Sequence, residues 1–305
     1  MSERPETADV TEEAVRFYSD GLALDASWHL PHGADVPAER PLVVPCSGFM
    51  GLKTIHPERF ARALAPLGYP CFTFDYRGFG KMRIVGGKVL IDEQVRDIVH
   101  AIAFAASDPR VRDRAIVLLG WGMGAGLVLE ATPIAPNVQG LVCVNGLYDA
   151  IRVQRAVRGE AGWRRFRAWF ADRQAEACRS PDTVEVDPFD IYPLDPITKG
   201  YVDGTLTRSP GFGGTVHLSF AESLLSFAPE RKLQHLVDVP LLVVHGEENR
   251  LHPLLEAESL HRAYPGPKER FFVPGAGHTE WMDDDHPTFR LVAGRIAEWL
   301  GAQFA

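Results

Sequence analysis

Residues 115–130, with the sequence AIVLLGWGMGAGLVLE, are the stretch from which the fold can be deduced. They comprise a short apolar run typical of a strand, a glycine-rich turn, and a helical segment that begins almost at once. A turn of this kind can present a nucleophilic serine on a strained backbone at the edge of a sheet. The residue at the tip of this turn is Gly122, which has no side chain.

The same turn fits a second pattern. Gly120, Gly122 and Ala125 satisfy the G-x-G-x-x-G/A form of a dinucleotide-binding loop, which also follows a strand and opens a helix. This match is weak by itself, because glycines permit close backbone approach in any tight strand-to-helix crossover. The loops after the other strands must therefore decide between the two interpretations.

Strand-like and helix-like segments alternate along most of the chain. Residues 14–30 predict a hairpin that turns at Ser19-Asp20-Gly21. Further strands are predicted at 42–46, 69–75, 140–144, 239–245 and 270–273, and helices at 56–67, 92–106, 254–264 and 287–300. Such alternation predicts a mostly parallel sheet with helices on both faces and an active site beyond the carboxyl ends of the strands.

One long segment interrupts this alternation. Its first part is rich in arginine between Arg152 and Arg173, and its second part, residues 182–203, is acidic and rich in proline. An insertion of this kind between two sheet strands is typical of a helical cap over the site. The sequence predicts a core formed by residues 1–146 and 236–305 and a cap formed by residues 147–235.

Two features of the cap have open interpretations. Trp163, Phe166 and Phe170 share one helical face, which either packs on the core or provides an aromatic wall for a ligand. The arginines are expected to form a solvated face paired with acids of the cap, with anion binding as the alternative.

Composition excludes several classes of function. A net charge of -8 argues against general nucleic-acid binding. The polar, acidic N-terminal stretch lacks the apolar region of a signal peptide, and no apolar run approaches the roughly 20 residues of a membrane span. The widely spaced Cys46, Cys71, Cys143 and Cys178 are expected to be buried free thiols. These features predict a cytoplasmic protein.

Five loop motifs in order resemble those of the α/β-hydrolase superfamily over nearly the full chain. They are Ser47-Gly48-Phe49, FDYRGFG at 74–80, GWGMG at 120–124, VHGEEN at 244–249 and PGAGH at 274–278. Five motifs are far more specific than one glycine pattern, so this fold is favoured over a dinucleotide-binding fold. The resemblance implies a mostly parallel eight-stranded sheet with helices on both faces and an inserted helical cap.

The resemblance also implies where a catalytic triad would lie. In this superfamily a serine, an acid and a histidine occur in this chain order as nucleophile, orienter and base. The motifs place these roles on Gly122, Asn249 and His278. A glycine cannot form an acyl-enzyme, and a neutral amide can fix a tautomer but cannot stabilise an imidazolium by charge. Two departures together favour a natural loss of the serine over a single engineered substitution.

Carboxylates near these positions could replace the missing acid. Glu247 and Glu248 precede Asn249 directly, and Asp149 follows the sixth strand, from which this fold can also supply its acid. The favoured alternative is that each is a solvated loop carboxylate.

Other parts of the site would survive the loss of the serine. The resemblance implies an oxyanion hole formed by the backbone N–H groups of Phe49 and Met123. Next to them, His278 would act as general acid/base with a pKa near neutrality. The flat or apolar side chains expected to contact substrate, or alternatively to pack in the core, are Met50, Trp121, Trp281 and Trp163.

No metal or cofactor is expected. His245, His252 and His278 follow strands but lack the spacing of a zinc motif. The favoured hypothesis is a cofactor-independent, non-hydrolytic enzyme that uses His278 to form or break a C–C or C–O bond next to a carbonyl. Cyclisation, conjugate addition and elimination fit this description, and the substrate would be a small, apolar, aromatic or polyketide natural product.

Two alternatives remain open. One is a catalytically inactive ligand-binding protein. The other is a hydrolase scaffold with weak water-mediated hydrolysis, or an engineered Ser-to-Gly variant. The expected partner is an apolar, carbonyl-containing small molecule, without nucleic acid or membrane, and a homodimer is left open.

Overall fold

The core of the molecule is one sheet. The computed structural model describes residues 9–32, 39–80, 89–179, 181–182, 184–212 and 214–304. Within these residues, eight strands join in the order β1-β2-β4-β3-β5-β6-β9-β10. In this eight-stranded sheet, only the pairs β1–β2 and β2–β4 are antiparallel. The strands are β1 (Asp9–Ser19), β2 (Leu22–His32), β3 (Leu42–Cys46), β4 (Cys71–Phe74), β5 (Ile116–Trp121), β6 (Val138–Val144), β9 (Leu241–Gly246) and β10 (Lys268–Val273).

The predicted hairpin forms at the edge of this sheet. Asp20 and Gly21 connect β1 to β2 with φ angles of 48° and 80°. Two successive residues with positive φ match the twist of an antiparallel pair, and Asp-Gly is a preferred sequence for such a turn. The turn thus forms at the predicted residues.

Helices cover both faces of the sheet and confirm the predicted α/β-hydrolase fold. One face packs on α2 (Ile91–Ala106), α3 (Met123–Ala131) and α8 (Leu254–Ala263), and the other on α1 (Pro57–Leu64) and α9 (Pro287–Gln303). In β5, Leu118 belongs to the first apolar layer and Leu119 to the second. Central strands are apolar throughout because neighbouring side chains point to opposite, equally buried faces.

The segment between β6 and β9 is mainly helical. It contains α4 (Ala150–Ala177), β7 (Glu185–Val186), α5 (Pro188–Ile191), α6 (Pro196–Gly204), β8 (Val216–His217) and α7 (Ser219–Leu225). The strands β7 and β8 pair with each other as a separate ribbon, which the sequence did not predict. The limits of a cap at residues 147 and 235 remain a prediction.

Arg152 connects this segment to the core. Its guanidinium pairs with Glu230 at 2.7 Å and also contacts Glu256, a buried carboxylate on α8. Glu256 further accepts hydrogen bonds from the backbone N–H groups of Tyr148 and Asp149. A buried carboxylate needs such partners to offset its desolvation. Arg152 therefore links the segment to α8, in addition to any pairing within the cap.

The cysteines do not all lie where expected. Cys46, Cys71 and Cys143 are buried free thiols, as predicted, but Cys178 is exposed, so the prediction is wrong there. Cys178 directly follows α4 and lies outside the apolar strands that bury the other three. None of the described helices is long and apolar enough to cross a membrane.

Candidate active site

The tight turn at residues 120–124, called the elbow below, connects β5 directly to α3. Gly122 lies at its tip with φ 57° and ψ -124°, a conformation with positive φ that glycine adopts at little cost. Gly124 allows the first turn of α3 to pass close to the end of β3, because a Cβ there would lie 2.2 Å from the carbonyl oxygen of Ser47. The elbow therefore has the backbone shape expected from the sequence.

The missing side chain at the elbow would have pointed at two histidines. A Cβ on Gly122 would lie 3.7 Å from Nε2 of His278 and 3.8 Å from Cε1 of His252. Both are ordinary van der Waals distances, so a side chain fits there without a clash. The structure thus brings Gly122 and His278 together, as the motifs predicted.

Asn249 also reaches His278, and its orientation decides the chemistry of the ring. The amide Nδ2 of Asn249 lies 3.1 Å from Nδ1 of His278. Its Oδ1 accepts hydrogen bonds from the backbone N–H groups of Leu251, at 3.1 Å, and His252, at 2.9 Å. Turning the amide round would aim its hydrogens at these two donors, so the hydrogen-bond network assigns Oδ1 to them and Nδ2 to the ring.

This contact makes Nδ1 of His278 an acceptor. In the neutral imidazole the other nitrogen must then carry the hydrogen, so Nε2–H points toward the position opposite Gly122. In a serine hydrolase the acid accepts a hydrogen from Nδ1 and leaves Nε2 free as the base. His278 therefore has the opposite polarity.

His278 remains neutral in the folded protein. Its burial is the largest cause that holds its pKa well below the usual value, and the nearby His252, His56 and His245 lower it further. The expectation of a pKa near neutrality is therefore wrong, because the ring is buried and, in the part of the chain that the structure describes, its hydrogen-bond partner is an amide and not a carboxylate.

The sequence did not identify His252 and Tyr192 as parts of the site. Nδ1 of His252 lies 2.6 Å from the carbonyl oxygen of Asn145 and donates to it, and Nε2 therefore accepts from the hydroxyl of Tyr192. The rings of His252 and His278 lie 4.8 Å apart. The position of His252 just after a strand was the only signal in the sequence, and Tyr192, inside the predicted cap, had none.

A pocket opens at this point. Its walls are mostly apolar, which is typical of sites for small organic ligands. The lining side chains that carry a hydroxyl or an imidazole are those of Ser47, His56, Tyr192, Thr198, Tyr201, His278 and Thr279. Thr279 is buried, and among the described residues its hydroxyl has no hydrogen-bond partner, so this group is available to a ligand.

Only some of the predicted contact residues reach the pocket. Phe49, Met50, Trp121 and Met123 line it. Trp281 does not, because its ring packs edge-on against Trp121 and its Nε1 donates to the carbonyl of Gly277.

Trp163 also lies away from the pocket. It is on α4, where its ring packs against Phe166 at 5.7 Å. The alternative of packing describes both side chains in this structure, and their contact with a substrate stays a prediction. The oxyanion role of Phe49 and Met123 stays a prediction.

Of the three carboxylates proposed to replace the acid, one has other contacts and two are exposed. Asp149 caps the N-terminus of α4 by accepting from the backbone N–H of Arg152, and it pairs with Arg231 at 2.8 Å. Glu247 and Glu248 are exposed. Among the residues described, no cluster of three or more His, Cys, Asp or Glu side chains could hold a metal ion.

Fold and site together define a member of the α/β-hydrolase superfamily. The chain belongs to the family described as serine aminopeptidase, S33, whose model matches residues 37–285. That Gly122 lies at the position of a nucleophilic serine stays a prediction from the motifs.

Similar proteins extend this assignment without naming a substrate. An uncharacterized 31.7 kDa protein in the traX-finO intergenic region of Escherichia coli is 32% identical over 124 residues, which cover 41% of this chain and 42% of that protein. The match thus spans about two fifths of the length of that relative. The acyltransferase drtE of Aspergillus calidoustus is 23% identical, covering 80% of this chain and 82% of its own.

A solved structure supports the fold. The hypothetical protein PA2218 from Pseudomonas aeruginosa superposes with a TM-score of 0.78 at 20% identity, covering 99% of this chain and 98% of that chain. At this identity the likeness concerns the fold alone.

Proposed function

We propose that this protein is a cofactor-independent, non-hydrolytic enzyme that forms or breaks a C–C or C–O bond next to a carbonyl in a small apolar molecule. The observation that carries the proposal is the polarity of His278, whose Nε2–H points into the pocket opposite Gly122. Cyclisation, conjugate addition and elimination all pass through an enolate-like charge that such a donor can stabilise.

The carbonyl oxygen of the substrate would be held by three N–H donors. These are Nε2–H of His278 and the backbone N–H groups of Phe49 and Met123. Met123 is the first residue of α3, so its N–H has no acceptor within the helix. A neutral imidazole N–H can polarise a carbonyl without giving up its proton. In an apolar pocket, where the dielectric constant is low, such donors stabilise developing negative charge more than in water.

The same arrangement argues against hydrolysis. Gly122 offers no atom that could be acylated. Nε2 of His278 carries a hydrogen and has no lone pair for activating a water molecule. Acyl transfer through a covalent intermediate, the route open to a serine enzyme, requires the same missing groups.

The test is a screen of aromatic and polyketide-like carbonyl compounds by thermal shift and mass spectrometry, in water enriched in ¹⁸O. We expect a bound compound to isomerise, or to lose a fragment, without gaining ¹⁸O. Gain of ¹⁸O in a cleaved product would indicate hydrolysis and contradict the proposal. A compound that binds but is recovered unchanged would favour the ligand-binding alternative.

The matched variants are His278→Ala and His235→Ala. His235 is an exposed histidine, so its replacement controls for loss of an imidazole as such. We expect His278→Ala to abolish conversion and His235→Ala to leave it unchanged. Equal conversion by wild type and His278→Ala would show that His278 is not the proposed hydrogen-bond donor.

A further inference from the structure

We infer that Tyr192 and His252 form the base of the reaction, with Tyr192 taking a proton from the substrate while it passes its own proton to His252. This inference rests on the proposed function and adds the group that removes the proton. Tyr192 would contact the substrate, and His252 would act through Tyr192.

The hydrogen bonds of His252 set the direction of the relay. Because Nδ1–H donates to Asn145, Nε2 presents a lone pair to the Tyr192 hydroxyl. The ring is held in place by its own backbone, since the carbonyl oxygen of His252 accepts from Nε2 of His245 at 2.8 Å and its N–H donates to Asn249. Both ring nitrogens and the backbone of His252 therefore have hydrogen-bond partners.

Tyr192 is left as an acceptor toward the pocket. Its only hydrogen is committed to His252, and a phenolic oxygen retains lone pairs for a further donor. The ring lines the pocket and stacks on Phe49 with centroids 5.4 Å apart. Phe49 stacks in turn on Phe220 at 4.6 Å, which fixes the direction of the hydroxyl.

Tyr192, the acceptor, and His278, the donor, both line the same pocket. Nε2 of His278 and Cε1 of His252 both lie within 4 Å of the position of a Cβ on Gly122. The hydroxyl of Tyr192 is hydrogen-bonded to Nε2 of His252. A substrate above the elbow would find a hydrogen-bond donor on its carbonyl side and an acceptor beside it. Deprotonation next to a carbonyl requires this pairing of groups.

The proposed proton transfer needs no co-reactant. The C–H or O–H bond of the substrate breaks, its proton goes to Oη of Tyr192, and the hydroxyl proton of Tyr192 goes to Nε2 of His252. The electron pair stays on the substrate as an enolate or alkoxide. The resulting imidazolium still donates to Asn145 and Tyr192, and the proton returns when the intermediate collapses.

The charges around His252 limit when it can hold that proton. The pKa of His252 is lowered to about 3, mainly by burial and to a smaller extent by the nearby His245, while the carbonyl of Asn145 and Asp195 act in the opposite direction. The imidazolium is therefore stable only beside an anion, which the deprotonated substrate would supply. The empty pocket stays uncharged, and the relay operates only with substrate bound.

The experiment uses 5-nitrobenzisoxazole, whose ring opens when a base removes one carbon-bound proton and no water is added. We expect Tyr192→Phe, which keeps the ring stacked on Phe49, to lower kcat about 10²-fold with little change in KM. His252→Gln should lower kcat similarly and alter the pH profile. Tyr264→Phe is the control, because it also removes a buried hydroxyl, one that donates to Val239 away from the pocket.

The outcomes separate this inference from the proposed function. If wild type opens the probe and Tyr192→Phe does so equally well, the relay is overturned and the role of His278 stands. If the rate depends on Tyr192 but not on His278, the proposed function fails and the relay stands. A wild-type rate no higher than that of buffer overturns the base role. Independently of rates, a ¹⁵N NMR signal showing hydrogen on Nε2 of resting His252 would exclude the relay.

Discussion

The elbow and the loop after β9 differ in what each retains of a hydrolase site. The elbow, residues 120–124, keeps the backbone conformation but carries no reactive side chain at Gly122. The loop after β9, residues 247–253, keeps a side chain in contact with His278, but Asn249 gives that contact the opposite polarity. The geometry of a triad can thus persist while its proton chemistry is reversed.

The reversed polarity of His278 depends on which atom of the Asn249 amide faces the ring. The two backbone N–H groups of Leu251 and His252 take the oxygen of Asn249, which leaves only its NH₂ group for His278. An aspartate at position 249 would satisfy the same two N–H groups and present a second oxygen to the ring. Nδ1 of His278 would then donate, and Nε2 would become a base.

The largest expected effect comes from restoring both regions. Gly122→Ser combined with Asn249→Asp should hydrolyse p-nitrophenyl acetate about 10³-fold to 10⁴-fold faster than Gly122→Ser alone, because the serine needs a ring with a free Nε2. Steady-state rates of the two variants and of the Asn249→Asp single variant check this. High esterase activity in Gly122→Ser alone would mean that Asn249 does not impose the reversed polarity.

Removing the donor is the next largest change. His278→Ala should lower kcat on 5-nitrobenzisoxazole by about 10²-fold, because the developing phenoxide loses Nε2–H. His278→Gln, which can present an amide N–H, should recover part of that loss. If both variants lose activity equally, hydrogen-bond donation is not the function of this side chain.

Buried neutral histidines should make the fold sensitive to acid. Burial lowers the pKa of His252 to about 3 and that of His245 to about 4. As the pH decreases, these histidines bind protons in the unfolded chain before they do so in the folded protein. Each of them therefore lowers the free energy of unfolding by about 2 kcal/mol between pH 7 and pH 5. The stabilisation is complete above pH 6.5 and falls as the pH decreases toward the folded-state values.

The comparison of His252→Gln with wild type isolates one such group. The variant should lose about 2 kcal/mol less stability between pH 7 and pH 5 in urea titrations. The difference between variant and wild type is the informative quantity, because other groups also titrate in this range, including Asp75, whose pKa burial raises to about 6. Parallel pH profiles for the two proteins would contradict the buried, neutral state of His252.

The smallest effect concerns the elbow itself. Gly122→Ala should cost about 1 kcal/mol of stability, because the added Cβ meets no close neighbour but the residue keeps a positive φ. Thermal or urea unfolding measures this cost. A loss of stability several times larger would indicate that the elbow no longer accommodates a side chain. The elbow would then have lost the backbone conformation of a hydrolase site as well as its reactive side chain.

The sequence was sufficient for the features that depend on local patterns. Apolar strands, the Asp20–Gly21 turn and the loops after the strands predicted the sheet and brought Gly122, Asn249 and His278 together. These elements are encoded by residues near one another in the chain, or by motifs at strand ends that parallel strands bring to one edge.

The rest of the site depends on contacts distant in sequence. Tyr192 meets His252 across 60 positions, and the orientation of Asn249 depends on backbone N–H directions that no residue type specifies. Trp281 and Trp163 have the composition of a ligand wall, but packing against Trp121 and Phe166 removes them from the pocket. The burial that depresses the pKa of His278 likewise results from the assembled fold.

The tautomer of His278 is the most direct test of this account, and ¹⁵N NMR of histidine-labelled protein at pH 7 measures it. We expect hydrogen on Nε2 and a bare Nδ1 in wild type, and the reverse in Asn249→Asp. Hydrogen on Nδ1 in the wild-type protein would contradict the reversed polarity on which the proposed chemistry rests.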